Sequence, residues 1–151
     1  MKRVGITFAI AVLLLSGVSS VFVTSSDTSA ASCVNTKLRY GSKNNCVKYA
    51  QTLANYTYSL APKALGGKRT LAVDGKFGSK TKSAIVNIQA NSYVKKTNTS
   101  RKIYLSKDGV IGPQTWEILC TYGGYNGGAS TTAASKAGCG SLSTYKASGI
   151  Y

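Results

Sequence analysis

A long apolar stretch opens the chain, and three amphipathic segments follow it at intervals. Val4 to Val23 is apolar but for Gly, Thr and Ser. Further on, Val47, Ala50, Leu53 and Ala54 share one helical face, which predicts a first helix over about Asn45–Asn55. Ala84, Ile85 and Ile88 repeat that spacing and predict a second over about Ser79–Tyr93. Trp116, Leu119 and Cys120 predict a third over about Pro113–Tyr122. Between the second and third, the helical period is lost. Tyr93-Val94 and Lys102-Ile103-Tyr104-Leu105 flank the polar Asn98-Thr99-Ser100, so a short β-hairpin is predicted over 93–105. From Gly123 to Tyr151 the residues are mainly Gly, Ser, Thr and Ala, which reads as a loop or flexible tail, tied down if Cys139 is paired. The fold class predicted is mostly α, a compact three-helix bundle with two turn loops.

Those two loops are copies of one another. Val73-Asp74-Gly75-Lys76-Phe77-Gly78-Ser79-Lys80-Thr81 recurs 34 residues later as Lys107-Asp108-Gly109-Val110-Ile111-Gly112-Pro113-Gln114-Thr115. In each, the Asp carboxylate can accept backbone N–H bonds and the next Gly can take positive φ. Phe77 and Ile111 are the apolar residues that pin the loop to the core. Gly78 and Gly112 are placed as helix N-caps, and Pro113 at the first helical position marks the start of the third helix. Thr81 and Thr115 fall at the third helical position, where a hydroxyl can serve the open groups of the first turn. Asp74, Gly75, Gly78, Asp108, Gly109 and Gly112 are therefore structural turn residues before they are ligand contacts.

The N-terminus and the cysteines set the compartment. Lys2 and Arg3, the apolar run and the small residues ending at Ala30-Ala31 form the pattern of a secretory signal peptide over 1–31, with an uncleaved anchor as the alternative. The remaining 32–122 read as one domain and 123–151 as the tail. Four cysteines, Cys33, Cys46, Cys120 and Cys139, form an even set, as two disulfides in an exported chain require. Three pairings are open; Cys33 with Cys46 and Cys120 with Cys139 is the local one, and a Cys46–Cys120 clasp is its rival.

Charge and residue absences then restrict function. The chain has 19 Lys and Arg against 4 Asp and Glu, and no His. Without residues 1–31 it loses Lys2, Arg3 and Asp27, so the basic excess persists and the surface attracts polyanions. Without His there is no Ser-His-Asp or Cys-His machinery, and no Cys-x-x-Cys spacing suggests zinc. The acids that remain, Asp74, Asp108 and Glu117, offer no marked carboxylate pair for glycoside hydrolysis. No catalytic residue, metal or cofactor is expected.

Taken in order, Gly41-Ser42, Val47 through Gln51 with Leu53, Leu71 through Gly78 with Thr81, Ala84, Ile85 and Gln89, and Leu105 through Gly112 with Pro113, Thr115-Trp116 and Leu119 resemble the peptidoglycan-binding domain 1 of bacterial wall hydrolases. The likeness covers about 85 residues, Leu38 to Cys120. It implies a three-helix fold and glycan–peptide binding without hydrolysis, since no catalytic domain accompanies it. Two departures stand out: Ile88 where the family has Phe, and a Gln89–Leu105 connection about ten residues longer.

The function read from this is a secreted, non-catalytic protein of the cell wall, binding peptidoglycan and, through its basic surface, anionic wall polymers. The alternative is a secreted effector on the same scaffold that modulates a wall enzyme or binds a neighbouring envelope. Nucleic acid is not expected, because charge and tyrosine alone support it, and membrane contact is expected only through the signal segment. Candidate ligand residues are Tyr40, Tyr93 and Tyr104, which pair a flat apolar face with a hydroxyl, Gln89, and the basic Lys95, Lys96, Arg101 and Lys102. Tyr49 is a candidate of the same kind. Trp116 is placed in the core by its helical spacing.

Overall fold

The structure, a computed structural model, describes residues 32–124, 127–142 and 145–151. The predicted signal peptide, 1–31, lies outside them. Among the described residues there are four α-helices and one three-stranded antiparallel sheet. In chain order they are α1 (Asn45–Leu60), α2 (Ser79–Ala90), β1 (Ser92–Lys96), β2 (Lys102–Tyr104), α3 (Pro113–Gly123), α4 (Gly128–Ala137) and β3 (Tyr145–Ile150).

Helix α1 is the central post. Asn44 caps it by accepting the Val47 N–H at 3.0 Å. It extends past the predicted Asn55 to Leu60, because Thr57 and Tyr58 continue the buried stripe of Val47, Ala50, Leu53 and Ala54. The Tyr58 hydroxyl donates to the Ala84 carbonyl at 3.1 Å, which ties α1 to α2. Helix α2 stops at Ala90, short of the predicted Tyr93. There Ser92 bonds back to the Ile88 carbonyl at 2.6 Å and the chain enters β1. Helix α3 starts on Gly112 and Pro113 as predicted and buries Trp116, Ile118 and Leu119, with the Trp116 indole N–H donating to the Thr36 carbonyl at 3.1 Å.

The predicted hairpin is present as β1 and β2, with Tyr93 opposite Tyr104 and Lys95 opposite Lys102. The predicted tail requires correction. Gly123 closes α3 deep in the core, α4 packs beside α1, and β3 adds to β1 to give the sheet order β2-β1-β3. The bundle thus has four helices rather than three. Ser130, Ala133, Ala134 and Ala137 bury one face of α4. They keep helical spacing, but their side chains are so small that they carry little apolar signal.

Disulfides join Cys33 to Cys46 and Cys120 to Cys139, the local pairing. The second fastens the end of α4 to α3. Two disulfides fit an oxidising, extracytoplasmic compartment.

Candidate functional site

The paired turns are held by two glutamines. Gln51, on α1, turns its amide into the first loop. Its Nε2 lies 2.9 Å from Asp74 Oδ1, 3.1 Å from the Lys76 carbonyl and 3.2 Å from Thr81 Oγ1, while its Oε1 accepts the Gly75 N–H at 2.9 Å. Gln89, on α2, does the same in the second loop, to Asp108 Oδ1 (3.2 Å), the Val110 carbonyl (2.9 Å), Thr115 Oγ1 (3.1 Å) and the Gly109 N–H (2.9 Å). In both copies the Asp carboxylate also accepts the N–H two residues on, at 2.8 Å. The amide of Gln51 and the Lys76 N–H hold the Asp74 carboxyl below the usual carboxylate range. Each loop needs its first glycine: Gly75 and Gly109 have φ of 74° and 73°.

One extended segment couples the two copies. Leu38 exchanges both backbone hydrogen bonds with Ile111, at 3.0 and 2.8 Å, while Gly41 donates to the Phe77 carbonyl and Phe77 donates to the Ser42 carbonyl, both at 2.9 Å. Phe77 and Ile111 are equivalent positions of the repeat, so residues 38–42 strap the two loops together.

Gln89 belongs to this architecture. It is buried, and its amide is directed at the turn. It does line the floor of a cleft of about 710 Å³ beside the second turn, with Lys37, Arg39, Ser106 and Gln114 at the sides. Tyr40 is 65% exposed and borders a different groove with Ser79, Lys82, Ser83 and Val86. Tyr49 is half-buried against the core.

The remaining candidates gather on the sheet. Strand alternation sends Val94 into the core and leaves Tyr93 and Lys95 on the outer face, beside Lys102 and Tyr104 of β2. The third strand contributes a tyrosine that sequence reasoning missed. Tyr151 follows β3, its N–H donates to the Asn91 carbonyl at 3.0 Å, and its ring closes a triangle with Tyr93 and Tyr104 whose centroids are 6.2–6.3 Å apart. Gly149 stands opposite Tyr93, and a side chain there would run into the Tyr93 ring. Lys102 Nζ sits 4.5 Å from the centroid of that ring. Lys96, Arg101 and Lys102 line a cleft of about 590 Å³ that opens against Tyr104.

No family model, curated protein or solved structure matches the chain.

What the arrangement can do follows from its groups. Among the described residues the sheet face offers aromatic surface and cations and no acid, so it suits ligands combining a ring or polyol with negative charge. The cleft at the second turn offers Lys37 and Arg39 with polar side chains and one carboxylate, Asp108, which is held by the turn, so its two cations suit carboxylate-bearing ligands. Of the acids among the described residues, Asp74 and Asp108 are engaged by the turns and Glu117 is buried on α3.

Proposed function

We propose that this protein is an exported, non-catalytic binder of the bacterial cell wall, built on a three-helix module of the peptidoglycan-binding domain 1 type formed by α1, α2 and α3. The observation that carries the reading is the twofold use of one device: a helical Gln locking an Asp-Gly turn to the Thr of the next helix. Those residues, in that order, are the ones on which the resemblance rests. The cleft beside the second turn is the face assigned to peptidoglycan, with Lys37 and Arg39 meeting stem-peptide carboxylates. The basic surface as a whole draws the protein to anionic wall polymers. Non-catalytic action is supported by the engagement of Asp74 and Asp108 in turns and the absence of His from the chain.

Sedimentation with purified sacculi, stripped of anionic polymers, tests the proposal. The protein should pellet with them, and Lys37→Ser with Arg39→Ser should weaken pelleting. Failure to pellet at both low and high salt would refute wall binding. Release of soluble fragments from labelled peptidoglycan would refute the non-catalytic reading.

A further inference from the structure

We infer that the outer face of the β-sheet is a second binding site, for an anionic glycan polymer whose units alternate a sugar or polyol with a phosphate or carboxylate. It sharpens the wall-binding reading and tests separately from it.

The sheet register carries the first argument. Reading across β2 and β1, one row is Lys102 and Lys95, and the neighbouring row is Tyr104 and Tyr93, which Gly149 of β3 faces and Tyr151 extends. Like charges directly opposite in a sheet are destabilising. Lys95 and Lys102 stand directly opposite one another, a like-charge pair that an anion lying across the strands would relieve. On β1 and β2 the two rows are two residues apart, roughly 7 Å, so an acid group on one row leaves the adjoining unit over the other.

Exposure carries the second. The tyrosines are open to solvent: Tyr104 is 62% and Tyr151 58% exposed while their rings are 6.2 Å apart. The two rings stand at 89°, so the cluster presents aromatic faces in two orientations to passing sugars. Lys102 and Tyr104 belong both to this cluster and to the cationic cleft with Lys96 and Arg101. Aromatic and ionic contacts therefore adjoin without a gap. Gly149 is needed for the same geometry, since any side chain there would displace Tyr93.

The experiment titrates the full exported chain with four soluble probes: poly(glycerol phosphate), oligogalacturonate, neutral dextran and an oligo-dT strand. At least one anionic glycan should bind and dextran should not. The phosphate and carboxylate arms then distinguish which acid is preferred. Raising salt from 50 to 200 mM should weaken binding about twenty-fold if three cations make contact, by the counterion-release slope for single strands. Lys95→Ser with Lys102→Ser, and separately Tyr104→Ala, should each weaken it about ten-fold. Lys63→Ser with Lys68→Ser, which removes the same charge from an exposed loop, should change it less than two-fold. Should Tyr104→Ala fail to fold, Tyr151→Ala supplies the same test. The site assignment is overturned if neither anionic glycan binds, if dextran binds as tightly, if the loop pair weakens binding as much as the sheet pair, or if oligo-dT binds more tightly than both glycans. Stripped-sacculus pelleting by the sheet variants should be unchanged; its loss in the parent protein with polymer binding intact would count against the peptidoglycan reading alone.

Discussion

Replacing Gln51 with Leu tests the device on which the fold depends. The substitution keeps side-chain volume and removes one amide. Nε2 has two hydrogens and three acceptors around it, at 2.9, 3.1 and 3.2 Å, so two donated bonds are lost, one of them to the Asp74 carboxylate. The bond accepted from the Gly75 N–H, at 2.9 Å, is lost as well. Neutral bonds contribute about 1 kcal/mol each and a bond to a charged group about 1.5–3. Gly75 is buried, so its stranded N–H adds a desolvation cost. The expected loss is about 3–5 kcal/mol, or roughly 12–20 °C in Tm for a domain of this size. Urea and thermal unfolding followed by circular dichroism measure it. Gln89→Leu should cost about the same, since its contacts repeat those of Gln51 one for one. Gln51→Glu discriminates further: it retains the acceptor for Gly75 but faces Asp74 with a second carboxylate, so its defect should shrink when acid protonates the pair. A loss below about 1 kcal/mol in both Leu variants, with the fold intact, would refute the claim that the glutamines hold the turns.

Three further outcomes follow from particular contacts. Gly123→Ala places a methyl group against the Leu53 backbone carbonyl of α1, where no side-chain rotation can relieve it; soluble yield should collapse or Tm fall by more than about 10 °C, as for overpacking of about 3 kcal/mol. Cys120→Ser with Cys139→Ser opens a loop of sequence separation 19, and chain-entropy reasoning gives a loss of about 3 kcal/mol, read by chemical denaturation with and without reductant. Because the native Asp74 carboxyl is held below its unfolded value, its contribution is present above the ordinary Asp pKa of about 3.9 and lost as pH falls beneath it. Melting curves between pH 5 and pH 2.5 should fall less steeply for Asp74→Asn than for the parent.

Large side chains made most of the helical frame legible. Trp116, Ile85, Ile88 and Leu53 declare three helices through their spacing, and the Gly112-Pro113 start of α3 can be read directly. The turn repeat was equally visible, but its partner was not. Nothing local in sequence says that Gln51 lies 23 residues from the aspartate it binds, or that Gln89 turns inward. What failed was the reading of 123–151. Apart from Lys136, helix α4 is made of Ala, Ser, Thr and Gly, whose burial against α1 depends on closeness of approach rather than on bulk, so periodicity scales register almost nothing. Gly123 looked like the first residue of a linker because glycine marks both linkers and tight helix crossings. Tyr151 was hidden for a related reason: only the pairing of β3 with β1 brings it beside Tyr93, and long-range register is not written in any local window.

The strap at residues 38–42 lies inside the loop that Cys33 and Cys46 close, 13 residues apart in sequence. The segment that couples the two half-repeats is thus the segment that oxidation tethers. With free thiols, docking the strap must meet the entropy of closing that loop on its own; with the bond formed, the unfolded chain has already lost that freedom. Coupling between the halves is therefore graded by compartment, loose where thiols persist and firm where they are oxidised. On the reading proposed above, in which the chain is exported, the halves lock together only once the Cys33–Cys46 bond has formed.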